Sequence, residues 1–382
     1  MVIKMKNIKN IKLDYTIIIS IFIFMIISCT TIYSAMTYLP SYLGNLSLKQ
    51  LLFYILGFIT IFFIIFLPKK VIEKMVFPLY IVGNILLLLL LFFGKSINGS
   101  KCWFVIPGIG SFQPSEFMKI ILILMVSLEV SKFYKDGGKS IKEEFFFLIR
   151  LLIIVGIPSI LSFLEPDTGA VIIYLLITIG ILLISPLRRR WFVISVVLLF
   201  IIGSIFLYLY FFKQELFVDL LGTDLFYRID RILDWKNGEG LQLENSLTAI
   251  GSSGLLGHGY NKTPLYFPEA GTDFIFAVFA SNFGLIPSLI FLIFLTYFDI
   301  HLLNQAKKQK LSFYKYILVG TVSMFLYQQV QNISMTFGLL PITGITLPFI
   351  SYGGSSLLSY FIILGIILNF SKKEKKAIYA SS

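Results

Sequence analysis

The chain has 382 residues, 57% of them hydrophobic and only 14% charged, with a mean hydropathy of +0.88. A soluble domain carries about 25% charged residues, so this composition excludes an ordinary soluble protein and points to an integral membrane protein. The net charge of +12 does not indicate a nucleic-acid partner, because Lys and Arg cluster between alternate apolar runs, the imprint of membrane topology.

Lys4, Lys6, Lys9 and Lys12 precede the first apolar run, 15–35. That run exceeds the roughly 7–15 residues of a signal-peptide core, so a retained first helix with a cytoplasmic N-terminus is expected. Further runs long enough to cross a bilayer, about 20 residues each, lie at 48–67, 75–94, 115 to near 132, 145–164, 170–187, 191–212, 274–300, 316–334 and 355–370. The expected fold is therefore an all-α polytopic membrane protein of ten transmembrane helices, forming a single domain over 1–382. Within it, 213–272 is a long extracytoplasmic loop between helices seven and eight. The segments assigned to the cytoplasm hold 22 of the 32 Lys and Arg, while the short outer loops hold only Lys49, Lys95 and Lys101. This asymmetry places both termini in the cytoplasm.

The loop 95–115 is rich in Gly, Ser and Pro and carries Trp103 and Phe104, which suit a membrane interface. In the long insert, 241–259 has apolar residues near helical spacing, the pattern of a short helix lying on the membrane surface. Cys29 and Cys102 give neither a disulfide framework nor a ligand set, and His258 and His301 are too few and too distant for a metal site. No phosphate-binding glycine loop or dinucleotide fingerprint occurs, which leaves ATP hydrolysis and redox chemistry without support.

Charged residues inside membrane spans are costly, and each needs a reason. Glu116 and Lys119 open the fourth span in QPSEFMK. Helix-start electrostatics with a pairing one turn on accounts for them, as does a cavity in which Lys119 holds an anionic group. Glu165 and Asp167 stand in the hairpin between spans five and six, where Asp167 or Thr168 suits a helix cap. Asp273 stands at the mouth of span eight, where it caps the helix or acts as a base. Glu269 beside it repels its charge and raises the pKa, which suits a base. The stretch 338–356 carries Pro341, Pro348, Gly344, Gly353 and Gly354 just after Gln328, Gln329, Gln331 and Asn332. Irregular backbone at membrane depth is tolerated only when buried in protein or lining a wet cavity, so this stretch reads either as an ordinary outer turn or as the lining of a polar cavity.

Four motifs, QPSEFMK at 113–119, EPDTGA at 165–170, FPEAGTDFIFAV at 267–278 and GLLPITGITLPFISYGGSS at 338–356, make the chain resemble the SEDS family (shape, elongation, division and sporulation proteins), which includes RodA, FtsW and SpoVE. The resemblance covers nearly the whole chain, and YSA near residue 34 and YRIDRI make it look most RodA-like. It implies a peptidoglycan glycosyltransferase that polymerises lipid II at the outer face of the bacterial cytoplasmic membrane, serving elongation, division or sporulation. The family's essential aspartate falls on Asp273, which would take the proton from the acceptor sugar's 4-hydroxyl as it attacks the donor's anomeric carbon. Substrate contacts fall on Glu116, Lys119, Glu165, Asp167, Glu269, Ser351, Gly353, Gly354 and Ser355. The leaving pyrophosphate calls for cations, for which Lys119, Arg228, Arg231 and a divalent ion, Mg2+ or Mn2+, are candidates. The resemblance also implies a class B penicillin-binding protein (a transpeptidase) as partner.

Two departures from the family pattern stand out. Members usually have Arg before the loop Trp, where this chain has Cys102, and an acidic pair where it has Ser281 and Asn282. These losses keep two other functions in view, a lipid II flippase or transporter and a non-catalytic scaffold for the penicillin-binding protein.

Overall fold

The computed structural model describes residues 11–36, 44–97, 100–106, 110–223, 226, 241–266, 268–309, 312–371 and 373–374. Among the described residues it is mostly helical, with two small antiparallel sheets. The helices are α1 (Tyr15–Ala35), α2 (Leu46–Phe66), α3 (Lys69–Phe93), α4 (Pro114–Phe133), α5 (Ile141–Leu164), α6 (Thr168–Leu183), α7 (Arg189–Phe212), α8 (Gln214–Leu221), α9 (Leu241–Gly251), α10 (Ile275–Phe283), α11 (Leu285–Lys307), α12 (Ser312–Thr336) and α13 (Gly354–Ser371). Local chemistry sets their starts. Asp14 and Asn45 cap α1 and α2, Pro114 opens α4, and Ser140 with Glu143 forms a reciprocal capping box on α5.

Among the described residues seven helices, α1, α2, α3, α5, α7, α11 and α13, are long and apolar enough to cross a membrane, and α6 is a shorter apolar helix. α4 and α12 fall outside that set because they carry Glu116, Lys119 and Glu129, and the amides of 328–332, respectively. Those polar residues are tolerable because both helices run through the interior, with most of their residues buried. α7 is the opposite case, apolar along its length with Tyr210 its only buried residue.

The Gly-, Ser- and Pro-rich loop after α3 carries regular structure. It forms a three-stranded antiparallel sheet of β2 (Lys95–Ile97), β3 (Ser100–Ile106) and β4 (Gly110–Phe112), while β1 (Ile11–Lys12) pairs with β5 (Lys373–Glu374). The eighth span does not begin at residue 274. The apolar run breaks at Gly284, whose φ of 81° ends the buried α10 and starts α11, the long helix that reaches Lys307.

The break is satisfied from outside. His258 N–H and Gly259 N–H donate to the carbonyls of Ser281 and Asn282, and the N–H groups of Leu285 and Ile286 donate to Gly254 and Leu255. The glycine-rich segment 253–259 thus supplies the partners that two helix ends lack. α9 forms as the spacing predicts, but it packs on the bundle, with Ser246 and Ala249 buried and Ser246 Oγ donating to the Thr336 carbonyl at 3.0 Å.

A Cβ at Gly284 would run into Gly257 N and lie 2.6 Å from the Leu255 carbonyl oxygen, on a backbone conformation that L residues disfavour. Gly284→Ala is therefore expected to destabilise the protein by at least about 2 kcal/mol, seen as a lowered melting temperature in detergent. Gly203→Ala in α7, with nothing within 4 Å of the added methyl, should leave the melting temperature unchanged or raise it.

Candidate active site

The segment joining α12 to α13 carries the site. Between Gly338 and Gly354 the backbone is irregular, and Phe349 sits in the left-handed region at φ 67°. Strain of this kind persists only where surroundings over-determine it. Here the Phe349 ring stacks on Phe24 at 5.2 Å and lies against Phe298, Phe325 and Tyr360. Three consecutive carbonyls are then taken up by α1 and α2. Tyr54 Oη donates to Phe349 O (2.6 Å), Ser28 Oγ to Ile350 O (2.7 Å) and Gln50 Nε2 to Ser351 O (3.1 Å).

The other side of this segment holds Asp273. Tyr352 N–H donates to Gly271 O (2.9 Å), Ser351 Oγ to Thr272 O (2.6 Å) and Asn332 Nδ2 to Asp273 O (2.8 Å). Before it, Glu269 takes φ 57°, and its carbonyl accepts from the N–H groups of both Thr272 and Phe274 (3.1 Å each). The turn presents the Asp273 carboxylate toward Gly344, where a Cβ would stand 3.6 Å from Oδ2. Asp273 is partly buried, and burial, with the Glu269 charge second, pushes its carboxyl up to about 7. Glu269 is exposed and accepts from Thr272 Oγ1 at 2.7 Å.

A second cluster lies on the far side of the same loop. Asp167 caps α6 by accepting from Ala170 N–H (3.1 Å), and its other oxygen accepts from Ser115 Oγ (2.8 Å) and Gln113 Nε2 (3.3 Å). Lys119 pairs with Glu116 at 2.6 Å, with its ammonium 5.8 Å from the Tyr360 ring centroid. Tyr360 Oη accepts from Gln328 Nε2 at 2.8 Å. The two clusters meet at Ile345, whose Cγ1 stands 3.0 Å from where a Cβ on Gly169 would be.

The structure therefore unites residues that are far apart in sequence, though not all in the roles the spacing suggested. Asp273 and Glu269 are adjacent, and Glu116, Lys119 and Asp167 form one polar group. Lys119 is wholly enclosed, and Glu116 is largely so. Ser351 is buried with its hydroxyl committed to Thr272 O and to Leu347 N–H. Gly353 N–H donates to Gln50 Oε1, Gly354 packs on the Phe53 ring, and Ser355 Oγ accepts from Gln113 N–H. Arg228, Arg231 and the YRIDRI stretch lie outside the described residues. Sequence reasoning missed Ser28, Gln50 and Tyr54 as loop anchors. Polar residues inside otherwise apolar helices were the available signal.

The two departures occupy neutral surroundings. Asn282 is buried, donating Nδ2–H to Ser34 Oγ (2.6 Å) and accepting at Oδ1 from Thr263 Oγ1 (3.0 Å), so an amide is satisfied where a carboxylate would need a cation. Cys102 is buried, and its thiol donates to the Glu165 carbonyl at 3.1 Å. The Glu165 side chain is itself fully buried, with neither carboxylate oxygen hydrogen-bonded among the described residues. Burial, with Asp167 second, raises its carboxyl to about 8. Among the described residues no group of three or more His, Cys, Asp or Glu is arranged to hold a metal ion.

Known proteins match along almost the entire chain. The sequence profile of the family described as "Cell cycle protein", covering FtsW, RodA and SpoVE, matches residues 12–376. A relative from Hydrogenovibrio crunogenus, named as a probable peptidoglycan glycosyltransferase FtsW, is 32% identical over 88% of this chain and 84% of its own. The peptidoglycan glycosyltransferase MrdB of Helicobacter pylori is also 32% identical, over 85% and 82%. Among solved structures, a chain of a peptidoglycan synthase complex that coordinates polymerization and crosslinking superposes with a TM-score of 0.75 at 24% identity, covering 94% of this chain and 97% of that one. The rod shape determining protein RodA of Thermus thermophilus superposes at 0.67 and 23%, covering 94% and 96%. These last two establish the fold.

Asp273 and Glu165 both bind their protons more tightly folded than unfolded. The stability they contribute is complete below the ordinary carboxylate range and is lost as pH rises through about 7 and about 8. The melting temperature in detergent is therefore expected to fall from about pH 4 to about pH 8 and to level off above that. Glu165→Gln should flatten the upper part of that fall and melt above the wild type at about pH 9.

Proposed function

The chain belongs to the FtsW, RodA and SpoVE family of cell cycle proteins, the SEDS family, whose matched members are named peptidoglycan glycosyltransferases, and from that premise we propose that it polymerises lipid II into glycan strands. The observation that carries the mechanism is Asp273. It is a partly buried carboxyl raised to about 7, beside a second carboxylate and held by three neighbouring carbonyl bonds. A carboxylate with a pKa near the working pH is an efficient general base. Asp273 accepts the proton of the acceptor's 4-hydroxyl as that oxygen bonds to the donor's anomeric carbon. The bond from that carbon to the pyrophosphate oxygen breaks, and the polyprenyl pyrophosphate leaves with the electron pair.

The enclosed Lys119–Glu116 pair acts on this site indirectly, by fixing the wall that carries Asp167. A divalent cation, Mg2+ or Mn2+, remains part of the proposal. Such ions bind through one or two carboxylates plus substrate phosphates, and the exposed Glu269 would be the carboxylate to hold one. When bound, that ion supplies neutralisation of the leaving group's charge. The ten-span count follows if α4, α6 and α12 cross the membrane beside the seven apolar helices, with both termini cytoplasmic and the 338–354 loop at the outer face. The partner proposed is a class B penicillin-binding protein, in keeping with the synthase complex whose fold the chain shares.

Purified protein given lipid II, a divalent metal and a penicillin-binding protein lacking its own glycosyltransferase is expected to make glycan chains. Asp273→Asn should lower the rate by at least about 100-fold. With the wild type, the rate should fall about tenfold per pH unit below about 7. No chains from the wild type, where a relative works under the same conditions, would instead favour the scaffold.

A further inference from the structure

Asn332 is fully buried in α12, one helical turn before the helix ends. Its Nδ2 donates to two carbonyls at once, Asp273 O and Ile345 O, each at 2.8 Å. The orientation of the amide is settled by that pair, since the flipped form would set Oδ1 against two carbonyl oxygens. Its Oδ1 is buried with no hydrogen-bond partner among the described residues.

The unpaired Oδ1 costs stability, and the two bonds satisfy carbonyls that an apolar side chain of the same volume would leave unpaired. Those two bonds also give position. One amide fixes the spacing between the turn that presents Asp273 and the loop residue that packs on Gly169, two residues from Asp167. Gly344, next to Ile345, is also the residue against which the Asp273 carboxylate lies.

We propose that Asn332 is the positioning residue of the reaction, holding Asp273 in register with the loop and with the Asp167 wall. This rests on the reading of Asp273 as the base. Gln331 is the built-in comparison. It sits beside Asn332, is also buried, and donates its amide to the same loop at Pro341 O (2.8 Å), away from Asp273.

The test measures initial rates of lipid II polymerisation for wild type, Asn332→Leu, Gln331→Leu and Asp273→Asn. Rates are normalised to sites counted by binding a lipid II whose acceptor 4-hydroxyl is blocked, so that unfolded protein does not enter kcat. Misplacing a reacting group by about 1 Å costs up to about 100-fold. Asn332→Leu is therefore expected to lower kcat per site about 10- to 100-fold, with KM within about threefold of wild type, while Gln331→Leu keeps kcat within about threefold. Should Asn332→Leu not yield folded protein, Asn332→Ala carries the same expectation. Wild-type kcat in the Asn332 variants beside an inactive Asp273→Asn would overturn the positioning role and leave the base standing. Equal losses in the Asn332 and Gln331 variants would also overturn it, as an effect on the whole loop. An active Asp273→Asn would remove the base assignment and this inference with it.

Discussion

The structure depends on pairing the backbone polar groups of an irregular segment whose central residues, 347–351, are buried. In hydrocarbon or dry protein each unsatisfied carbonyl or N–H costs several kcal/mol. The loop between α12 and α13 abandons helical pairing, and its residues 347–351 are buried against the surrounding helices. Its carbonyls at 349, 350 and 351 are met by Tyr54, Ser28 and Gln50, and its own Ser351 and Tyr352, with Asn332, meet the carbonyls at 271, 272 and 273. Two runs of three successive carbonyls, one on each side of one loop, tie α1 and α2 to the turn that carries Asp273. The same rule explains the break at Gly284, where segment 253–259 supplies partners to both helix ends.

That scaffolding lets carboxylates stand where they are costly. Asp167 has three donors. Glu116 has Lys119. Among the described residues Asp273 and Glu165 lack such partners, and they respond by holding their protons to higher pH. For Asp273, partly open beside Glu269, this gives a base matched to neutral solution. For Glu165, buried with the Cys102 thiol on its backbone carbonyl, it gives a neutral acid, and Asn282 is satisfied by the Ser34 and Thr263 hydroxyls.

Much of this was legible from apolar runs and cap chemistry. The first helix matches its expected bounds, and Asp167 both caps α6 and joins the polar cluster. The Glu116–Lys119 spacing gave the ion pair, but not its near-complete enclosure. The boundary between α10 and α11 was hidden because both sides are apolar, one facing neighbouring helices and the other lipid-facing over much of its length. The small β-sheet was hidden by the Gly, Ser and Pro content of its turns. The amides near residue 330 suggested a wet cavity, whereas Gln331 and Asn332 serve backbone carbonyls instead. Ser28, Gln50 and Tyr54 stood out only as polar residues in apolar helices, and their partners, about 300 residues away, were not legible.

The central claim is that Asp273 is a base tuned near neutrality by the turn that holds it. The most direct measurement is an isotope-edited infrared titration of the aspartate carboxyls in the purified protein, wild type minus Asp273→Asn. The account predicts one carboxyl, absent from the variant, that titrates near 7 and coincides with the acid limb of the polymerisation rate. A difference signal titrating in the ordinary aspartate range, near about 4, would contradict it.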